Sequence, residues 1–199
     1  MGKESIFSDL KNLKVVTAAS KKYATSFGFI EKEVFEALEE FDLAEEKQEV
    51  KRWYDGFRFG DCENIYNPWS IINFLDEQEF QNYWVNTSSN ALVGRLIREG
   101  SKAVKVAMED LLNGKTFKTP LDEEIVFHQL DHDKNAVWSF LLVSGYLKAV
   151  NVIKDYESGD TEYELALTNT EVRHMFIKII RSWFPKGGEA GRYKHTFCK

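Results

Sequence analysis

The sequence predicts a mainly α chain with small β elements, an α+β fold, on three observations. Apolar residues recur at helical spacing across much of residues 29–115. A helix-length apolar run, AVWSFLLVSGYL at 136–147, precedes two strand-like runs joined by Glu-Ser-Gly-Asp at 157–160. Turn pairs such as Asp55-Gly56, Gly100-Ser101 and Asn113-Gly114 punctuate these segments. With 199 residues, 43% hydrophobic and 29% charged, the chain has enough apolar surface to offset the entropy of ordering it. Two compact lobes in contact are expected.

Residues 3–11 predict a short helix, and 13–17 (LKVVT) a strand with no hairpin partner beside it, which points to a chain that begins inside a domain. From Phe29 the apolar positions Ile30, Val34, Leu38 and Phe41 predict a helix ending near Asp42, and a charged helix follows from Ala44 to about Tyr54. Residues 55–66 predict a structured loop or small hairpin, because Gly56 and Gly60 suit turns. Pro68 fits the first turn of the next helix, which carries Trp69, Ile72, Phe74 and Leu75. Residues 83–87 are a brief extended piece, and Ser88 or Ser89 caps a helix with Leu92, Val93, Leu96 and Ile97. A further helix places Val104, Ala107, Met108, Leu111 and Leu112 on one face.

The last third begins with a strand at 118–127, followed by Asp133 as the cap of a helix at 136–147 buried nearly all round. Strands at 148–156 and 161–167 form a hairpin, and Thr170 opens a final helix with Val172, Phe176, Ile179, Ile180 and Trp183 as its apolar stripe. His174 on that helix is expected to face solvent. Strand, buried helix, two-stranded wing and helix is the element order of a winged-helix-like module. The Gly187-Gly188 pair reads as a linker.

A formal net charge of -6 sets the average surface against phosphate backbones and anionic lipids. Cys62 and Cys198 lie far apart without metal-ligand spacing, which suits reduced thiols in the cytoplasm. No run approaches the roughly 18 apolar residues that a membrane-spanning helix needs, so no membrane partner is expected.

No glycine-rich loop with Lys-Ser or Lys-Thr opens a helix, so a phosphate-binding loop is absent from this stretch. His128 and His132, with Asp131 and Asp133, lack a third well-spaced ligand and read as a polar loop, so no metal or catalytic residue is assigned. Glu45-x-Lys47 and Asp9-x-Lys11 match the acidic-x-Lys triplet of two-metal nucleases only formally, because both fall in predicted helices. The 136–147 helix has no Arg or Lys, and the wing carries Asp155, Glu157, Asp160, Glu162 and Glu164, which opposes DNA reading by that helix.

One cluster concentrates aromatic rings around turn residues: Trp53, Tyr54, Asp55, Gly56 and Arg58 in WYDGFRFG, Asn67 and Trp69 in YNPWS, and Trp84 and Asn86 in YWVNT. Two readings stand: a ring-stapled loop in which Asp55 and Asn67 cap backbone groups, or a docking surface for a neighbouring domain or ligand.

In the phrases KESIFSDLKNLKVVT, WYDGFRFG, IYNPWSIINFL, YWVNTSSN and LVSGYL, the chain resembles bacterial and archaeal AAA-ATPase-like proteins with a C-terminal PD-(D/E)XK nuclease-superfamily domain. That resemblance implies that residues 1–28 are the end of an ATPase core, 29–115 a helical lid, 116–186 the winged-helix-like region, and 187–199 a linker or the start of a further domain. It implies ATP and Mg as cofactors of the intact protein and none in this segment, and it makes Arg58 a residue to reach a nucleotide phosphate. The expectation is a non-catalytic, cytoplasmic regulatory or adaptor segment whose partners are neighbouring domains of the same polypeptide. A nucleic-acid-binding winged-helix module is the alternative.

Overall fold

The first described helix starts where a carboxylate meets its positive end: in the computed structural model the Ile30 N–H donates to the Glu33 side chain at 2.9 Å. The structure describes residues 22–84, 89–121, 136–154 and 161–183. That helix, α1 (Glu31–Glu40), buries Val34 and Leu38. It begins later than the apolar period suggested, because Phe29 and Ile30 form a short strand, β1 (Phe29–Ile30), opposite Tyr66 and Ile65. A 3-10 turn (Ala44–Glu46) leads into α2 (Lys47–Tyr54), which buries Val50 and Tyr54.

The expected hairpin forms as β2 (Phe57–Phe59) and β3 (Cys62–Tyr66), turning through Gly60 at φ 56°. The sheet order is β1-β3-β2, antiparallel throughout. Helix α3 (Pro68–Glu77) then starts as its sequence dictates, with Pro68 in the first turn and the Asn67 Oδ1 accepting from the N–H groups of Trp69 and Ser70.

Helices α4 (Ser89–Glu99) and α5 (Lys102–Leu112) follow, broken at Gly100-Ser101, with the Ser101 hydroxyl accepting from the Val104 N–H. Strand β4 (Phe117–Pro120) pairs with β6 (Thr161–Leu167), which pairs in turn with β5 (Leu147–Lys154); the order is β4-β6-β5 and both pairings are antiparallel. A bulge between Ala149 and Asn151 shifts the β5 register.

The helix expected at 136–147 is shorter: α6 (Ala136–Val143) stops where the N–H groups of Ser144, Gly145 and Tyr146 return to the carbonyls of Phe140, Leu142 and Leu141. Gly145 takes φ 80°, the left-handed conformation that ends helices, and Leu147 already belongs to β5. The last helix, α7 (Thr170–Ser182), is capped by Asn169, whose Oδ1 accepts from the Val172 N–H at 3.0 Å. The expected helix at 3–11, strands at 13–17 and beyond Leu121, the Asp133 cap, the 157–160 turn and the Gly187-Gly188 linker lie outside the described residues.

Two cores result. The first gathers Val34, Leu38, Val50, Tyr54, Tyr66, Ile71 and Phe74, with Trp53, Phe80 and Tyr83 against them. The second gathers residues of α4, α5, α6, β5, β6 and α7, including Val93, Ile97, Met108, Trp138, Leu141, Tyr146, Leu165 and Phe176. The chain passes from one core to the other at Tyr83–Trp84, since Tyr83 packs against the first and Trp84 against the second. No described helix is long and apolar enough to cross a membrane.

Candidate functional site

The aromatic phrases meet at the seam between the two cores. Trp53, half-buried near the end of α2, donates its Nε1–H to Glu49 at 2.9 Å, and its ring meets His174 of α7 edge-on at 4.9 Å. His174, expected to face solvent, is therefore part of the seam. The α2 and α7 helices pack side by side there, and burial, with Arg173 and Arg52 nearby, pulls the imidazole below its ordinary range.

Tyr54 is fully buried. Its hydroxyl donates to the Gln81 carbonyl at 3.0 Å and accepts the Gln81 N–H at 3.2 Å, which ties the Gln81 backbone to the end of α2. Burial pushes the Tyr54 and Tyr66 hydroxyls up, so both stay protonated and act as donors. Trp84 carries the seam onward: its ring meets Phe57 of β2 at 5.9 Å and stacks on Tyr146 at 4.9 Å. Phe57 in turn lies over Gly145, where an added Cβ would sit 2.3 Å from the ring.

Glu171 fastens the same place with hydrogen bonds. It is 1% exposed, yet both oxygens are used: Oε2 accepts from the Ser70 hydroxyl of α3 at 2.8 Å, and Oε1 from the Trp84 N–H at 2.7 Å. Burial raises its pKa, while these donors pull it back. Three segments far apart in sequence are thus held by one carboxylate.

Asp55 and Gly56 complete the joint. Asp55 closes α2, its N–H donating to the Lys51 carbonyl at 3.1 Å. Its side chain is buried, and Oδ1 has no hydrogen-bond partner among the described residues. Burial raises the Asp55 carboxyl, against the pull of the Gly56 N–H and of Lys51 and Lys148. Gly56 takes φ 117° with the Thr168 carbonyl pressed against it; a Cβ there would lie 2.2 Å from that oxygen.

The remaining candidates do other work. Arg58 does not reach Asp55; it is exposed, pairs with Glu63 at 3.2 Å and donates to the Gly60 carbonyl, so its charge is engaged within the hairpin. Asn67 caps α3 as expected. Trp69 is 60% exposed, its Nε1 donating to the Tyr83 carbonyl at 3.2 Å. Asn86 lies outside the described residues, as do His128 and His132. Glu45 and Lys47 straddle the start of α2, with Lys47 paired to Glu39. Among the described residues no group of three or more His, Cys, Asp or Glu side chains is placed to hold a metal.

Sequence reasoning missed Glu171, His174, Ser70 and Tyr146. One signal was available: Glu171 stands four residues before Met175 and so continues the buried stripe of α7, where a charged residue needs partners.

Over 110 residues the chain is 27% identical to the "Uncharacterized protein in vnfD 5'region" of Azotobacter chroococcum mcd 1, a match covering 55% of this chain and 21% of that protein. No protein-family model matches the sequence. No solved structure matches it.

Proposed function

We propose that this chain is a non-catalytic coupling module that transmits the position of one lobe to the other within a larger polypeptide. The observation that supports it is the seam: Trp53 on His174, Phe57 and Tyr146 on Trp84, and Glu171 holding Ser70 and the Trp84 backbone. Packed rings and a buried, fully bonded carboxylate resist independent movement, because separation would expose apolar area and strip Glu171 of its donors. The resemblance to AAA-ATPase-like proteins makes the flanking partners a nucleotide-binding core before the module and a nuclease-like domain after it, with ATP and Mg bound by the former. The 27% match spans about a fifth of its relative, which is consistent with a module inside a longer chain.

The test uses both forms. The purified chain, given ATP and Mg or a DNA substrate, is expected to turn over neither, and multiple turnover of either overturns the reading. In the intact polypeptide, nucleotide addition is expected to alter hydrogen exchange in α7 of the wild type and to leave it unaltered in Trp84→Ala. An equal response in both would contradict coupling through the seam.

A further inference from the structure

Basic side chains are treated in two ways along the chain. Lys32, Lys47, Lys51, Arg52 and Arg58 each form an ion pair with a carboxylate. Arg95, Arg98, Lys102, Lys105, Lys178 and Arg181 are all exposed and none makes an ion pair among the described residues. The sequence balance follows the same division: residues 22–84 hold six Lys and Arg against fifteen Asp and Glu, whereas α4, α5 and α7 together hold seven against four, one of them the buried Glu171. The overall negative charge is therefore segregated, and an average over the chain conceals a cationic region.

The three helices that carry these cations pack against one another. Helices α4 and α7 approach closely at Gly94, where an added Cβ would stand 3.2 Å from Ile179 Cγ2. Arg95 and Lys178 are the chain neighbours of that contact, and Arg98 and Arg181 each lie three residues further on. Lys102 and Lys105 stand at the start of α5, whose first turn carries no acidic residue. Placing ammonium groups at a helix N-terminus runs against the helix dipole, the reverse of α1 with Glu31 and Glu33. Local rules are broken in this way at functional or strained sites. N-terminal N–H groups and the added cations both favour a phosphate oxygen.

We propose that this face of α4, the start of α5 and α7 binds the phosphate backbone of nucleic acid. The chemistry of the face selects that partner. Among the described residues, the large exposed apolar side chains on these three helices are limited to Val106, so the face lacks the apolar residues that a lipid surface takes up and the apolar centre of a protein interface. Exposed, unpaired Arg and Lys are what counterion release from a polyanion requires. The surface differs from the helix that winged-helix element order would offer, since α6 buries Ala136, Val137, Trp138, Ser139 and Leu141. This inference does not rest on the coupling function.

The test is fluorescence anisotropy with a labelled duplex of about 20 base pairs and a single strand of equal length, supplemented by phosphatidylserine vesicles. Binding in the micromolar range at about 50 mM salt is expected, weakening about a thousandfold by 200 mM. Arg95→Glu/Arg98→Glu/Lys102→Glu is expected to weaken binding at least about tenfold with unchanged circular dichroism, whereas Lys32→Glu on the acidic lobe leaves it intact. Lys178→Ala is expected to lower the salt slope by about 1, a readout that survives if the triple variant fails to fold. Absence of salt-sensitive binding, an unaffected triple variant, or binding to vesicles and not to DNA overturns the proposal.

Discussion

The two lobes are built from different material. The first is packed with rings that keep a polar tip: Tyr54 reaches the Gln81 backbone, Tyr66 reaches Glu31 at 3.4 Å, and Trp53 reaches Glu49. The second is largely aliphatic, with Val93, Ile97, Val104, Leu111, Leu112, Leu141, Val172 and Ile180 in its core. Rings with donors hold loops and helix ends in place while they pack, so the first lobe fixes geometry through hydrogen bonds as well as burial. The seam is where the first kind of construction reaches into the second.

The largest expected effect comes from the seam itself. Glu171→Ala leaves the Ser70 hydroxyl and the Trp84 N–H without their acceptor, and a loss of about 2–3 kcal/mol in urea unfolding is expected. Glu171→Gln, which keeps one acceptor oxygen, should recover part of it. A loss confined below about 0.5 kcal/mol would make the contrast between the lobes cosmetic. A smaller effect sharpens the comparison from within the first lobe: Asn67→Ala removes the α3 cap and is expected to cost about 1 kcal/mol, with no change in the order or cooperativity of unfolding.

The smallest effect is a pH dependence. His174 is held below its ordinary value of 6.5, chiefly by burial and then by Arg173 and Arg52. The unfolded chain therefore takes up the proton first, so stability is unaffected above pH 6.5 and is lost as pH falls from there toward the lowered value. Glu171, raised in the fold, works with the opposite sign at acid pH, so the comparison to make is wild type against His174→Gln. The variant is expected to unfold with a shallower acid slope between pH 7 and 5; identical slopes would place His174 outside the seam.

Much of this architecture could be read from residue patterns. Apolar spacing locates α1, α4, α5 and α7, the charged run before Tyr54 locates α2, and Asn67-Pro68 marks the start of α3, because local chemistry decides those ends. The sequence places the α6 end too late because Tyr146 and Leu147 continue the apolar run, whereas the left-handed Gly145 and the returning hydrogen bonds stop the helix. Strand β1 was missed because two residues show no period; pairing with β3 creates it. Of the candidate site, ring density drew attention to Trp53, Tyr54 and Trp84, but their partners His174, Tyr146 and Glu171 come from far along the chain. Contacts of that kind leave no local trace, apart from a charged residue continuing an apolar stripe. Arg58 and Asp55 illustrate the converse: near neighbours in sequence, they point to different surroundings, one to Glu63 and one into the joint.

The central claim is that two chemically unlike cores behave as one unit because of the seam. Native-state hydrogen exchange tests it most directly, comparing the Leu38 and Val50 amides of the first core with those of Leu141 and Phe176 in the second. In the wild type all four are expected to open with the same free energy and the same urea dependence, and in Trp84→Ala the two pairs are expected to separate. Two distinct opening free energies in the wild-type protein would contradict the account.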